Sequence, residues 1–151
     1  MWFSRKQGLK SPPDGVTPVA QALPKQITTK SRGDAAESAA RAHLIQGGLK
    51  FVEANYRTPG RGGGEIDLVM RAPDGTLVFV EVRQRTGASF GGAAASIGSV
   101  KQRRIIFAAR HYLMRFARQP PCRFDVVLVQ GAPGDAKESC IEWLTAAFDA
   151  S

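Results

Sequence analysis

The strongest constraint on the fold is a pair of strand-like segments joined by three turn-forming residues. EIDLVMRA (65–72) alternates polar and apolar positions, TLVFVEVR (76–83) is rich in Val and Phe, and Pro73-Asp74-Gly75 lies between them. Alternation at a period of two marks a strand with one buried face, and a short Gly-containing link closes a β-hairpin. The hairpin also fixes which side chains meet. With 73–75 as a three-residue loop, Ala72 faces Thr76, Asp67 lies directly opposite Glu81, and Glu65 opposite Arg83. All four then share one face of the sheet. A two-residue Asp-Gly loop would move the register by one, set Val82 opposite Asp67 and put the acids on different faces.

Directly opposed side chains have Cβ atoms ~4.5–5.5 Å apart, and like charges there are destabilising. A protonated carboxylate relieves that repulsion. So does a bound cation, because two carboxylates and a backbone carbonyl offer the hard oxygen ligands that Mg²⁺ or Mn²⁺ takes. The third arrangement is a pair of edge acids satisfied by Arg83, Arg85 and solvent. A metal at Asp67 and Glu81 would suit phosphodiester cleavage, which needs the phosphate polarised, a water activated and the leaving oxygen stabilised.

The flanking sequence supplies the rest of an α/β domain. Asp34 followed by Glu37 has the spacing of a capping box ahead of a helix over 35–46, which Gly47-Gly48 ends. Residues 49–57 read as a strand and the Gly-rich TPGRGGG as a loop or turn. Residues 86–98 read as a Gly/Ala/Ser-rich loop. Ser99 can cap a long helix reaching about Arg118, stopped by Pro120-Pro121. RFDVVLVQ (123–130) has the unbroken apolar run of a buried strand. GAPGDAKE is a loop, and SCIEWLTAAF (139–148) a strand passing into a short terminal helix. The order is αβββαβ with a β/α addition.

Charge points to a polyanionic partner. The net charge is +8, and residues 1–33 hold six Lys/Arg against one acid. Residues 1–32, punctuated by four prolines, read as a basic, disordered tail, and 33–151 as the domain. Between Glu81 and Asp125 there is no acid, but there are nine basic residues. At ~100° per residue, the 99–118 helix turns Ile105, Ile106, Ala109, Tyr112, Leu113 and Phe116 inward. Lys101, Arg104, Arg115 and Arg118 form a basic outer side with no acid at i,i+4 spacing. That one-sidedness suits a nucleic-acid backbone, and the competing reading is a solvated basic surface. Cys122 and Cys140 lack metal-site spacing and read as buried thiols. No apolar run approaches the ~20 residues of a membrane span. The first residues do not resemble a signal peptide, so no membrane partner is expected and a cytoplasmic location is.

GEIDLVMR, VFVEVRQR, FGGAAASI with Lys101, and RFDVVLV resemble the YraN-like family of uncharacterised bacterial proteins, over roughly residues 33–149. That family is similar to the PD-(D/E)xK nuclease superfamily, related in fold to Holliday-junction resolvases and restriction enzymes. The resemblance implies a restriction-endonuclease-like αβββαβ core, a mixed central sheet flanked by helices. It matches Asp67 and Glu81 to the two metal-binding acids and Arg83 to the position usually held by lysine. Glu37 resembles the helical carboxylate that some resolvases add, in competition with its capping-box role. Gln84 and Lys101 are secondary candidates.

Three expectations follow. The first is a Mg²⁺- or Mn²⁺-dependent endonuclease acting on DNA, which is favoured over RNA without excluding it, with branched or flapped structures among the candidate substrates. There Asp67 and Glu81 hold the metal, Glu37 assists, Arg83 contacts the phosphate, and the basic helix with Arg85 tracks the backbone. The second is a nucleic-acid-binding module whose site has decayed, motivated by Arg83, since an arginine stays charged where a buried lysine can lose its proton. The third is an adaptor whose basic face meets an acidic protein. Junction-cutting enzymes of this fold are often dimers, which leaves a homodimer open.

Overall fold

The computed structural model describes residues 29–85, 97–130 and 140–150, apart from the side chains of residues 29–32 and 85. Pro73-Asp74-Gly75 folds as the three-residue loop. The Ala72 amide donates to the Thr76 carbonyl (2.8 Å) and the Gly75 amide to the Ala72 carbonyl (2.9 Å). Asp74 Oδ1 accepts the Thr76 amide at 3.0 Å. Gly75 sits at φ +92°, a backbone region open to glycine at no steric cost. Strands β2 (Glu65–Arg71) and β3 (Leu77–Arg85) therefore pair in the register that sets Leu68 against Val80 and Arg71 against Leu77.

Strand β1 (Lys50–Arg57) pairs antiparallel with β2, while β4 (Cys122–Gln130) lies parallel to β3 and β5 (Cys140–Phe148) antiparallel to β4. The sheet order is β1-β2-β3-β4-β5. Parallel neighbours need a crossover connection, and helix α2 (Ser99–Leu113) is part of it. Helix α1 (Thr29–Gln46) packs Ala36, Ala40 and Leu44 against Leu68, Met70, Val78, Val80, Val127 and Val129. On the other side α2 packs Ile105, Ala108, Ala109, Tyr112 and Leu113 against Val69, Leu77, Phe79 and Phe124. Each large side chain buried this way contributes about 1.5–3 kcal/mol. Even positions of β3 face α1 and odd ones face α2, so Glu81 and Arg83 are aimed to the α2 side. This is the α/β architecture expected of an αβββαβ core.

Several boundaries differ from the sequence-based expectation. Helix α1 begins at Thr29, inside the segment read as tail, so Asp34 lies within the helix rather than at its N-cap. Once a helix has nucleated, each further residue adds a hydrogen bond at little cost. Helix α2 ends at Leu113 rather than near Arg118. Its last turn tightens through i→i−3 bonds, Met114 to His111, Arg115 to Tyr112 and Phe116 to Leu113. Its N-cap is Gly98, without a side-chain bond, rather than Ser99. Residues 140–148 stay extended, with no terminal helix, because they pair with β4 along their length. Cys140 is exposed and Cys122 half-buried, where burial of both was expected. The tail over 1–28, most of the 86–98 loop and the GAPGDAKE loop lie outside the described residues.

Candidate active site

The hairpin opens where its two acids meet. Hydrogen-bonded pairs recur at every second position of an antiparallel ladder. After Ala72–Thr76, Met70–Val78 and Leu68–Val80, the next bond would run from the Val82 amide to Ile66. The paired register stops at Leu68–Val80. The Val82 amide instead donates to Asp67 Oδ2 at 2.8 Å.

The same point is a switch of faces. Leu68 packs toward α1, but Ile66, of the same parity, packs toward α2. In β1, Ala54 packs toward α1 and Tyr56 toward α2. Asn55 between them adopts φ +56°, a left-handed conformation that asparagine tolerates better than most residues. The outer halves of β1 and β2 thus turn toward α2, leaving Asp67 in the gap beside β3.

Glu81 completes the pair. It is 7% exposed on a strand otherwise apolar up to that point. Its carboxyl is pushed up to about 7, first by burial and then by the charge of Asp67, against the lowering effect of Lys101. Asp67 is also raised, by burial above all, with the Val82 amide and a hydrogen bond from Glu81 pulling the other way. Each carboxyl thus holds a proton more tightly than an ordinary carboxylate does. Lys101 Nζ reaches Glu81 Oε2 at 3.4 Å from the first turn of α2.

The raised carboxyl sets a pH dependence. A folded pKa above the ordinary 4.5 means the native state binds the proton more tightly, so its contribution to stability is whole below pH 4.5 and gone above pH 7. Glu81→Gln removes the buried charge. At pH 8 the variant is expected to be more stable than the parent by roughly 3 kcal/mol, since each tenfold gain in proton affinity on folding is worth about 1.36 kcal/mol. At pH 4 the advantage should vanish. Urea denaturation at the two pH values checks this, and equal stability at pH 8 would contradict the buried-charge account.

The remaining expected site residues are placed unevenly. Arg83 lies two positions beyond Glu81 on the same strand face and lines, with Glu81, Val82, Gln84, Gly98 and Lys101, a cavity of about 290 Å³. Glu65 does not stand opposite Arg83, since the ladder has ended; it pairs across β1–β2 with Arg57 Nε at 3.3 Å. With the capping box gone, Glu37 points to the sheet. Its carboxyl is raised by burial and by Asp67, and lowered by a hydrogen bond from Asn55. The Arg85 side chain lies outside the described residues. Arg104 is on α2 beside Lys101 along a second cavity.

Arg115 and Arg118 lie beyond the last residue of α2, Leu113. Arg115 stacks on Tyr112 (3.8 Å to the ring centroid) and pairs with Glu53 at 3.6 Å. Asn55 and Arg57 were not singled out by sequence reasoning. The signal available for Arg57 was its place at the mouth of a Gly-rich loop.

Over residues 36–129 the chain matches the family described as "Uncharacterised protein family UPF0102". The chain belongs to the UPF0102 family. It is 73% identical to a UPF0102 protein of Polaromonas naphthalenivorans and 72% identical to one of another Polaromonas strain, over the whole of both chains in each case. It is 66% identical to one of Albidiferax ferrireducens, covering 82% of this chain and 91% of the relative. Membership agrees with the YraN-like resemblance and with a PD-(D/E)xK-like fold.

In this UPF0102 chain Asp67, half-buried, and Glu81, buried, bring two carboxylates together, the hard oxygen donors that divalent cations take. Among the described residues no group of three or more His, Cys, Asp and Glu is gathered closely enough to hold a metal ion. The candidate centre therefore consists of two carboxylates, with Glu37 in electrostatic reach. Among the described residues no helix is long and apolar enough to cross a membrane.

Proposed function

We propose that this UPF0102 protein is a divalent-metal-dependent endonuclease that hydrolyses phosphodiesters in DNA, with branched or flapped structures as its substrates. The observation that carries this reading is the pair of the half-buried Asp67 and the buried Glu81 in the gap between β2 and β3, with Lys101 against it. Asp67 and Glu81, with the Val82 carbonyl, would hold Mg²⁺ or Mn²⁺, which polarises a phosphate and lowers the pKa of a water. Asp67 is held in place by the Val82 amide. Burial pushes the Glu81 carboxyl up to about 7, and a dication held there would favour its charged form. Lys101 offers a compact charge beside Glu81, able to orient a water or bind a phosphate oxygen. Arg83 supplies a permanent planar charge for the scissile phosphate.

Arg83 also supports a second reading, a nucleic-acid-binding protein without cleavage. The superfamily's usual lysine can give up a proton when buried, and a guanidinium does not. Incubating duplex, single-stranded, flapped and four-way-junction DNA with the full chain, in Mn²⁺ and in EDTA, separates the two. A Mn²⁺-dependent product supports the enzyme. Salt-dependent binding with no product on any substrate leaves the binding protein.

A further inference from the structure

The loop joining β1 to β2 is built, and what it builds is a cavity. Thr58, itself buried, closes it: its amide donates to the Gly64 carbonyl (3.1 Å) and its hydroxyl oxygen accepts the Gly64 amide (2.7 Å). Gly64 rests on α2 so closely that a Cβ there would collide with the Arg104 carbonyl oxygen. Between the loop and α2 lies a polar cavity of about 410 Å³, where Arg57, Lys101 and Arg104 face the single carboxylate of Glu65. Arg57 is paired with that carboxylate. Among the described residues Arg104 takes part in no ion pair. The loop's glycines leave its main chain bare, so a ligand can approach the backbone closely. Lys101 lines this cavity and also the smaller one that holds Glu81 and Arg83.

We propose that the cavity between the glycine loop and α2 is a phosphate subsite, taking a nucleic-acid phosphate next to the one that lies at Asp67 and Glu81. The second half of that statement rests on the proposed nuclease reading; the first does not. Arg57 is paired with Glu65 and Lys101 with Glu81, so Arg104 is the surplus positive charge of the cavity, and the arginine fork matches phosphate oxygens. Lys101 stands between the two cavities, so a strand gripped in one is led toward the other. The phosphate is either an internal diester or a terminal monoester.

The test is fluorescence anisotropy of a short 3′-labelled single-stranded oligodeoxynucleotide, with a 5′-phosphate or a 5′-hydroxyl, in EDTA. The proteins are the full chain, Arg57→Gln/Arg104→Gln, and Lys50→Gln as a control cation at the far end of β1. The double variant is expected to bind about tenfold more weakly and to lose about 1 from the slope of log K against log[salt] for each cation removed. Lys50→Gln should change affinity less than twofold. An equal loss on both oligonucleotides assigns an internal diester. A preference for the 5′-phosphate that disappears in the double variant assigns a terminal monoester. A double variant that binds like the parent, or no better distinguished than the control, overturns the subsite. Because no cleavage is measured, a failure of the nuclease reading leaves this result intact. Metal-dependent cleavage with unchanged binding would remove the subsite alone.

Discussion

Asp67→Ala is expected to lower Mn²⁺-dependent cleavage by roughly 10³-fold, while oligonucleotide affinity in EDTA changes less than about twofold. On the proposed nuclease reading, the rate effect follows from losing one of the two carboxylates of a metal centre that would be worth several kcal/mol of transition-state stabilisation, at about 1.36 kcal/mol per tenfold. The affinity forecast follows from charge: removing an acid takes no cation from the surface that a phosphate backbone meets. Asp67 also intercepts the Val82 amide, so alanine leaves that donor to water and lowers stability by about 1 kcal/mol. A urea midpoint for the variant distinguishes a lost site from a lost fold. Arg83→Lys completes the series. If the guanidinium limits the chemistry, the lysine variant cleaves faster than the parent; if it only grips phosphate, cleavage falls. An Asp67→Ala protein that cleaves as fast as the parent refutes the assignment.

The second large effect concerns stability. Asp125 is 0% exposed and makes hydrogen bonds on both carboxylate oxygens. Arg123 Nε donates to Oδ1 (3.1 Å) and Oδ2 (3.2 Å), Trp143 Nε1 to Oδ2 (2.8 Å), and the Ala146 amide to Oδ1 (2.9 Å). Ala146, at φ +52°, lies beside an irregularity where the β4–β5 register shifts between Phe124 and Val126. The carboxylate thus satisfies a main-chain donor that the ladder does not. Asp125→Ala is expected to cost about 3 kcal/mol, at the lower end for breaking a buried pair because Arg123 is 28% exposed. The urea midpoint should fall with the m-value unchanged. A loss under about 1 kcal/mol would mean that water replaces the carboxylate at those donors.

Asp67 and Asp125 do the same local work. Each sits where a ladder breaks, and each accepts a main-chain amide there. Nothing in GEIDLV or RFDVVLV separates the two in chemical terms. What separates them is their surroundings: Asp125 has Arg123 and Trp143 on its oxygens, while Asp67 has a second carboxylate. One is a closed structural contact, the other a pair held in tension.

The hairpin register was legible in the sequence because its causes are adjacent residues. Three turn residues, one at positive φ, allow only a few loop geometries, and period-two alternation carries the choice along to Leu68 and Val80, one residue short of Asp67 and Glu81. The two helices and the apolar strands were legible for the same reason, as local periodicity. Their ends were not, since α2 stops where the chain turns toward β4, and α1 reaches back past the capping signal at Asp34 to Thr29. The opening between β2 and β3, the arrival of Lys101 at Glu81, and the glycine loop resting on Arg104 came only with the tertiary structure. Each depends on how a twisted sheet places residues far apart in sequence, and no local propensity encodes that placement.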